Sequence, residues 1–210
     1  MADADSDDSG DIDQGFIDTQ SALIEKPWHD LLADFRRFAS ASSHRSAVVG
    51  IVANCLEYGF MAIAIYRYGR WCRMIRPRWL SIPPKLIYQL LRVFSNLILG
   101  IELSTASRIG PGFYIGHWGG IVVGADCAIG SGCSIGQGVT IGYKGAGKST
   151  RGPVIGNNVY VGVCSVIVGE ITVGDGVIIG ANTTVVKDVP DNYRVVSAAV
   201  RMEPIPAKRS

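Results

Sequence analysis

Three histidines and five cysteines are the obvious reactive side chains of this 210-residue chain. His29 and His44 lie near the N-terminus, whereas His117 stands among glycines in Ile115-Gly-His-Trp-Gly-Gly120. An imidazole titrating near pH 6.5 can take the proton of a weakly nucleophilic hydroxyl and return it to a leaving group. A lone histidine between glycines also fits an ordinary surface residue. A zinc hydratase needs three histidine ligands, and His29 and His44 precede the region that holds His117, so no metal site is expected. Cys55, Cys72, Cys127, Cys133 and Cys164 are odd in number and contain no Cys-x-x-Cys, and the N-terminus lacks a basic and then apolar signal pattern. Reduced thiols in a cytoplasmic protein are expected, each a small buried apolar side chain. Gly142-Tyr-Lys-Gly-Ala-Gly147-Lys148-Ser149 has the form of a phosphate-binding loop. That loop needs a helix directly after its lysine, but Arg151-Gly152-Pro153 and a resumed apolar period follow, which argues against nucleotide hydrolysis.

The element that holds His117 in place has a six-residue period. Ile109, Ile115 and Ile121 are in phase; Val123, Ile129, Ile135 and Ile141 form a second run; Ile155, Val161, Ile167, Val173, Ile179 and Val185 form a third. Leaving out Ile121, glycine follows in ten of the twelve hexads, and 21 of the 26 glycines lie between Gly100 and Gly180. A fixed short period means stacked repeats: three hexads make a roughly triangular coil of parallel strands, the branched aliphatic inside and the small residue at the bend. Residues three hexads apart should stack, as Ile155 with Val173 and Val161 with Ile179. Ile155 follows Ile141 by two positions more than two whole hexads, so a loop is extruded over Tyr143–Pro153.

Upstream, the composition changes twice. Residues 1–25 are rich in Asp, Ser and Gly and are expected to form a mobile acidic tail. Up to and including Asp34 the chain carries ten acids against one base, a charge of −9 that leaves +11 for the rest. Residues 26–100 read as helical: Trp28–Ala39, a long apolar segment from Ser46 to about Arg70, a break at Ser81-Ile-Pro-Pro84, and Lys85–Leu99 stopped by Gly100. Asn54 and Glu57 at the middle of Ala47–Ile65 argue against a bilayer span. Between Tyr58 and Ile101 there are seven bases, no acids and interleaved Tyr66, Tyr68, Trp71 and Trp79. Peripheral contact with an anionic membrane, or packing between subunits, would suit that segment. The bases show no recognition-helix pattern, so nucleic acid is not an expected partner.

From about Ile101 to Arg201 the chain resembles the hexapeptide-repeat acyltransferases, and within them the serine acetyltransferase branch. The likeness is strongest in Gly120-Ile-Val-Val-Gly124, Val139-Thr-Ile-Gly142 and Gly145–Pro153. The resemblance implies a mainly β fold: a left-handed parallel β-helix over residues 101–190, preceded by the α-helical region and followed by a tail over 191–210. It implies acetyl-CoA as co-substrate, direct transfer without an acyl-enzyme, and homotrimers or higher oligomers with sites between neighbouring prisms. His117 falls on the family's general base and Glu102, fifteen positions earlier, on the acid that orients it, usually Asp. Tyr143, Gly162, Val163 and Ala181 match positions along the pantetheine arm, and Lys144, Lys148 or Lys187 could meet phosphates.

Departures from the serine enzymes bear on the acceptor. The Asp that precedes the base in the family is Gly116 here, and the Arg-His pair that meets the substrate carboxylate is Arg151-Gly152. Arg151 remains as an expected substrate-binding residue, and Trp118 beside the base suits stacking on a sugar ring. The expected acceptor is therefore a carbohydrate hydroxyl, on a lipid-linked or nucleotide-linked precursor of a surface polysaccharide, handled in the cytoplasm or at the inner face of the membrane. The alternatives are serine acetylation in cysteine biosynthesis and a non-catalytic β-helix scaffold.

Overall fold

Until the last coil each hexad forms a strand of two or three residues, and every third strand lands in the same sheet. The computed structural model describes residues 26–41, 47–145 and 151–197. In it, three parallel sheets wrap one apolar core. The first holds β1 (Ile101–Leu103), β4 (Ile121–Val123), β7 (Thr140–Gly142), β10 (Val166–Val168) and β13 (Thr184–Val185). The second holds β2 (Arg108–Ile109), β5 (Ala128–Ile129), β8 (Val154–Ile155) and β11 (Thr172–Val173). The third holds β3 (Tyr114–Ile115), β6 (Ser134–Ile135), β9 (Tyr160–Val161), β12 (Ile178–Ile179) and β14 (Arg194–Val195), the last inside the segment expected to be tail. Val173 pairs with Ile155 and Ile179 with Val161, the columns that the three-hexad spacing predicts. Ile121, Val123, Ile141, Ile167, Val173 and Ile179 are wholly buried in these columns. Each such side chain contributes about 1.5–3 kcal/mol relative to exposure, but only when the coils above and below cover it.

The period is lengthened at two corners, and both insertions reach the surface; in the last coil it is shortened instead, Ile179 pairing with Val195 two positions short of three whole hexads. Leu103 pairs with Val123, two positions beyond three whole hexads, whereas Val123 and its partner Ile141 are three hexads apart with nothing added. The two extra positions fall in the corner Gly116–Gly120, where Gly119 and Gly120 take φ of +100° and +67°, values that only glycine adopts at little cost. His117 and Trp118 protrude there. The second insertion is larger than counting hexads implies. Ile141 and Ile155 lie on consecutive strands, β7 and β8, so a step of more than two hexads crosses one corner where a single hexad suffices elsewhere. The extruded loop holds Lys148, which lies outside the described residues, as do segments 1–25 and 198–210.

Among the described residues four α-helices precede the solenoid: α1 (Pro27–Ala41), α2 (Ala47–Leu56), α3 (Tyr58–Met74) and α4 (Ile82–Phe94). The apolar segment read as one helix from Ser46 is broken at Glu57, whose extended backbone (φ −61°, ψ 126°) separates α2 from α3. Pro83 and Pro84 sit in the first turn of α4, where their missing N–H groups have no intrahelical acceptor to lose. A π-type turn (Ser95–Leu99) follows and Gly100 ends it in the left-handed region. No helix among the described residues is long and apolar enough to cross a membrane.

These helices cover the open edge of the first coil, whose outward backbone groups have no coil above them to pair with. Tyr66 Oη donates to the Ser107 carbonyl and accepts from Ile109 N–H, both at 3.1 Å. Arg67, on the next position of α3, donates to the Ile109 and Gly110 carbonyls at 2.6 and 2.7 Å. Arg70 and Arg73 reach the Thr105 carbonyl from one and two turns further on. From α1, the buried Asp34 carboxylate accepts from Phe113 N–H at 2.8 Å and pairs with Arg67 at 2.9 Å. Three of the seven bases, Arg67, Arg70 and Arg73, thus cap a β edge.

Candidate functional site

His117 and Trp118 stand on the prism edge that follows the third sheet, both exposed because the chain bulges there. Glu102 is the outward residue of β1, level with Val122 of β4. The His117 corner passes over the start of that strand, so that a Cβ on Gly100 would lie 3.2 Å from Gly119 Cα. Both side chains open to solvent at the same end of the solenoid, and among the described residues no ion pair includes either. A histidine base with room for an acceptor, and a carboxylate close along the chain path, are the groups that general-base attack requires.

The same edge continues downward through Gly136, Gly162 and Gly180, each amide donating to the coil below: Gly116 to Ile135, Gly136 to Val161, Gly162 to Ile179. Gly162, Val163 and Ala181 therefore share the edge of His117. The Gly162 N–H and the Val163 carbonyl are already engaged between coils, at 2.8 and 2.9 Å. A ligand lying here would use the remaining backbone groups. Glycine at 162 is demanded by packing, since a Cβ would lie 2.6 Å from Ala181 N.

The other expected residues occupy a different edge, the one that follows the first sheet. Tyr143 and Lys144 open the extruded loop, Arg151 closes it, and Lys187 follows β13; all are exposed. Arg151 Nη1 donates to Glu170 Oε1 at 3.2 Å, so its guanidinium already has a carboxylate partner. The structure thus brings His117, Trp118, Gly162, Val163 and Ala181 together, and separates them within one chain from Tyr143, Lys144, Arg151 and Lys187.

Two glycines flagged at the acceptor differ in kind. At Gly116 a Cβ would meet Tyr114 Cε1 at 3.7 Å and the Ile135 carbonyl at 3.8 Å, ordinary contacts. Packing does not require glycine there. At Gly152 a Cβ would lie 2.5 Å from Cys127 Sγ and 3.0 Å from the Asp126 carbonyl, so any side chain there must displace its neighbours. Burial, and then the charge of Asp126, pushes the Cys127 thiol up to about 12, so it stays a protonated packing group. Sequence reasoning missed Tyr58. The N-terminus of α3 lies hard on β3, where a Cβ on Gly59 would collide with the Ile115 carbonyl. Tyr58 thereby meets Trp118, ring centroids 6.1 Å apart, and the two half-exposed rings wall one side of the His117 corner. The slip between Ile121 and Val123 signalled the bulge, but nothing local paired residue 58 with 118.

Among the described residues no cluster of three or more His, Cys, Asp or Glu could hold a metal ion. Cys55 and Cys164 are exposed rather than buried as expected, and all five thiols are free.

No family model matches the chain. The serine acetyltransferase of Synechococcus elongatus is 35% identical over 155 residues, which is 70% of this chain and 61% of that protein; the chain thus matches about three fifths of that relative's length. That of Helicobacter pylori is 40% identical over 117 residues, 54% of this chain and 68% of that protein. Among solved structures, the serine acetyltransferase from Brucella abortus in complex with coenzyme A superposes with a TM-score of 0.69 at 28% identity, covering 91% of this chain and 73% of that one.

Proposed function

Because the chain belongs to the serine acetyltransferase family, we propose that it moves the acetyl group of acetyl-CoA to a hydroxyl of a small-molecule acceptor. The observation that carries this reading is the exposed His117, raised on a two-residue bulge at the head of the edge that holds Gly162, Val163 and Ala181. His117 takes the hydroxyl proton as the oxygen attacks the thioester carbonyl carbon. As the C–S bond breaks, His117 returns that proton to the departing thiolate. Glu102 orients the imidazole and supports the imidazolium that forms. The second edge, with Tyr143, Lys144, Arg151 and Lys187, completes the site when a neighbouring copy presents it, as a homotrimer would. The free thiols suit a reducing, cytoplasmic setting.

For the acceptor, the names of the relatives favour L-serine over the carbohydrate expected from sequence. The carbohydrate remains a second reading on one structural observation: the Tyr58–Trp118 wall stands beside Gly116, which offers no charged partner to an amino acid. Release of free CoA thiol from acetyl-CoA, measured with L-serine and with hexose acceptors, separates the two. His117→Ala should lower kcat by about 10²–10⁴-fold with the fold retained. Undiminished turnover in that variant removes the mechanism, and failure to bind acetyl-CoA in calorimetry points to a scaffold.

A further inference from the structure

Helix α4 has no buried residue. At 100° per residue, its turned-in side holds Tyr88 and Leu91, continued by Ser95 and Leu99 of the π-type turn, and Tyr88 closes against Gly69 of α3. The opposite side is a continuous apolar arc: Ile82, Leu86, Leu90, Val93 and Leu97 stand along it, with Leu90 74% and Leu97 77% exposed. Trp79, 70% exposed, extends it at the N-terminal end. Contiguous apolar surface of this extent marks an interaction site.

The charges around the arc identify its occupant. Of the seven bases between Tyr58 and Ile101, Arg67 is buried against Asp34, and Arg70 and Arg73 bind carbonyls of the first coil. The other four, Arg76, Arg78, Lys85 and Arg92, are exposed. Lys85 and Arg92 lie two turns apart on one flank of the arc, and Arg76 and Arg78 stand beside Trp79. No acid occurs in the segment. A second copy laid on this face would bring cations against cations, whereas anionic headgroups meet the bases while the acyl boundary takes the Leu, Ile and Trp side chains. We propose that the α4 face is a peripheral membrane-binding surface for anionic lipid. The sequence placed such contact anywhere in the basic segment. The structure removes α3 from it, because the α3 arginines are engaged internally, and leaves α4 with its flanking cations.

The test is flotation of the full chain with vesicles of phosphatidylcholine alone or with phosphatidylglycerol added. Binding is expected only to the anionic vesicles and should fall with salt. The double change Lys85→Gln/Arg92→Gln should weaken it about thirty-fold, and Leu86→Asp/Leu90→Asp should abolish it. Helical circular dichroism and CoA release should stay unchanged, since these positions touch neither the core nor the two prism edges. Absence of binding to anionic vesicles at low salt, or equal binding to neutral ones, overturns the proposal. So does conversion of the Leu86→Asp/Leu90→Asp variant to a smaller species in light scattering, which would make the face a contact between copies.

Discussion

Arg67→Met tests whether the helical region is fastened to the solenoid by hydrogen bonds rather than by apolar contact alone. Arg67 is 2% exposed and Asp34 is wholly buried. The guanidinium binds Asp34 at 2.9 and 3.3 Å and the carbonyls of Ile109 and Gly110 at 2.6 and 2.7 Å. Methionine keeps much of the length of the side chain and removes every donor. Asp34 would retain the Phe113 amide, and its pKa, already raised by burial against the pull of Arg67, would rise further. Orphaning a buried carboxylate in this way costs about 3–5 kcal/mol, and each unpaired buried carbonyl adds on the order of 1 kcal/mol or more. These terms are not additive, so a loss of at least about 4 kcal/mol is expected, a large part of the roughly 5–15 kcal/mol of an ordinary domain. Urea unfolding followed by circular dichroism and tryptophan fluorescence gives the value. Replacing both partners, as Arg67→Met/Asp34→Leu, should be less costly than the sum of the single changes by about 2 kcal/mol. A loss below about 1 kcal/mol for Arg67→Met, or strict additivity in the double variant, would refute the role assigned to the pair.

Other outcomes follow from single positions. Gly116→Ala should leave the melting temperature unchanged or slightly raised, whereas Gly152→Ala should lose about 1–3 kcal/mol through overlap with Cys127 and Asp126; thermal melts of the two variants decide. In native protein a maleimide should label Cys55 and Cys164 and spare Cys72, Cys127 and Cys133 until unfolding, as peptide mass spectrometry would reveal. Burial pushes Cys127 up to about 12 and Cys133 up to about 11 from an ordinary 9.0. The folded thiols therefore hold protons that unfolded ones release above pH 9, and stability should fall as pH rises from 9 toward 12 in urea titrations. Trp118→Ala should raise KM for a sugar acceptor with little change for serine; an equal effect on both would leave Trp118 as packing.

The solenoid was legible because its signal is local and repeated: a branched aliphatic every sixth residue and a glycine behind it mark the inward side chain and the bend of each strand. Gly100 as a stop and the Ile155–Val173 column came from the same kind of reasoning. What was not legible depended on partners far along the chain. Arg67 reads as one more surface base until Asp34, far upstream on another helix, and the carbonyl edge of β2 are seen beside it. The break at Glu57 was hidden by apolar residues on both sides, and the size of the Tyr143 loop by not knowing which sheets flank it. At the site, the spacing of His117 and Glu102 was visible. The separation of the expected residues onto two edges was not, because a six-residue period does not say which of three corners a loop leaves from.

The edge below His117 also acts as a ruler. Successive coils lie about 4.8 Å apart, and the amide chain from Gly116 through Gly136 and Gly162 to Gly180 crosses three such steps, about 14 Å. Distances along it come only in whole steps. Excising segment 156–173, three whole hexads, would rejoin the repeats in phase and bring Ala181 one graduation nearer to His117. A longer or shorter reach along this edge is thus a matter of how many coils the chain carries, not of how any one of them bends.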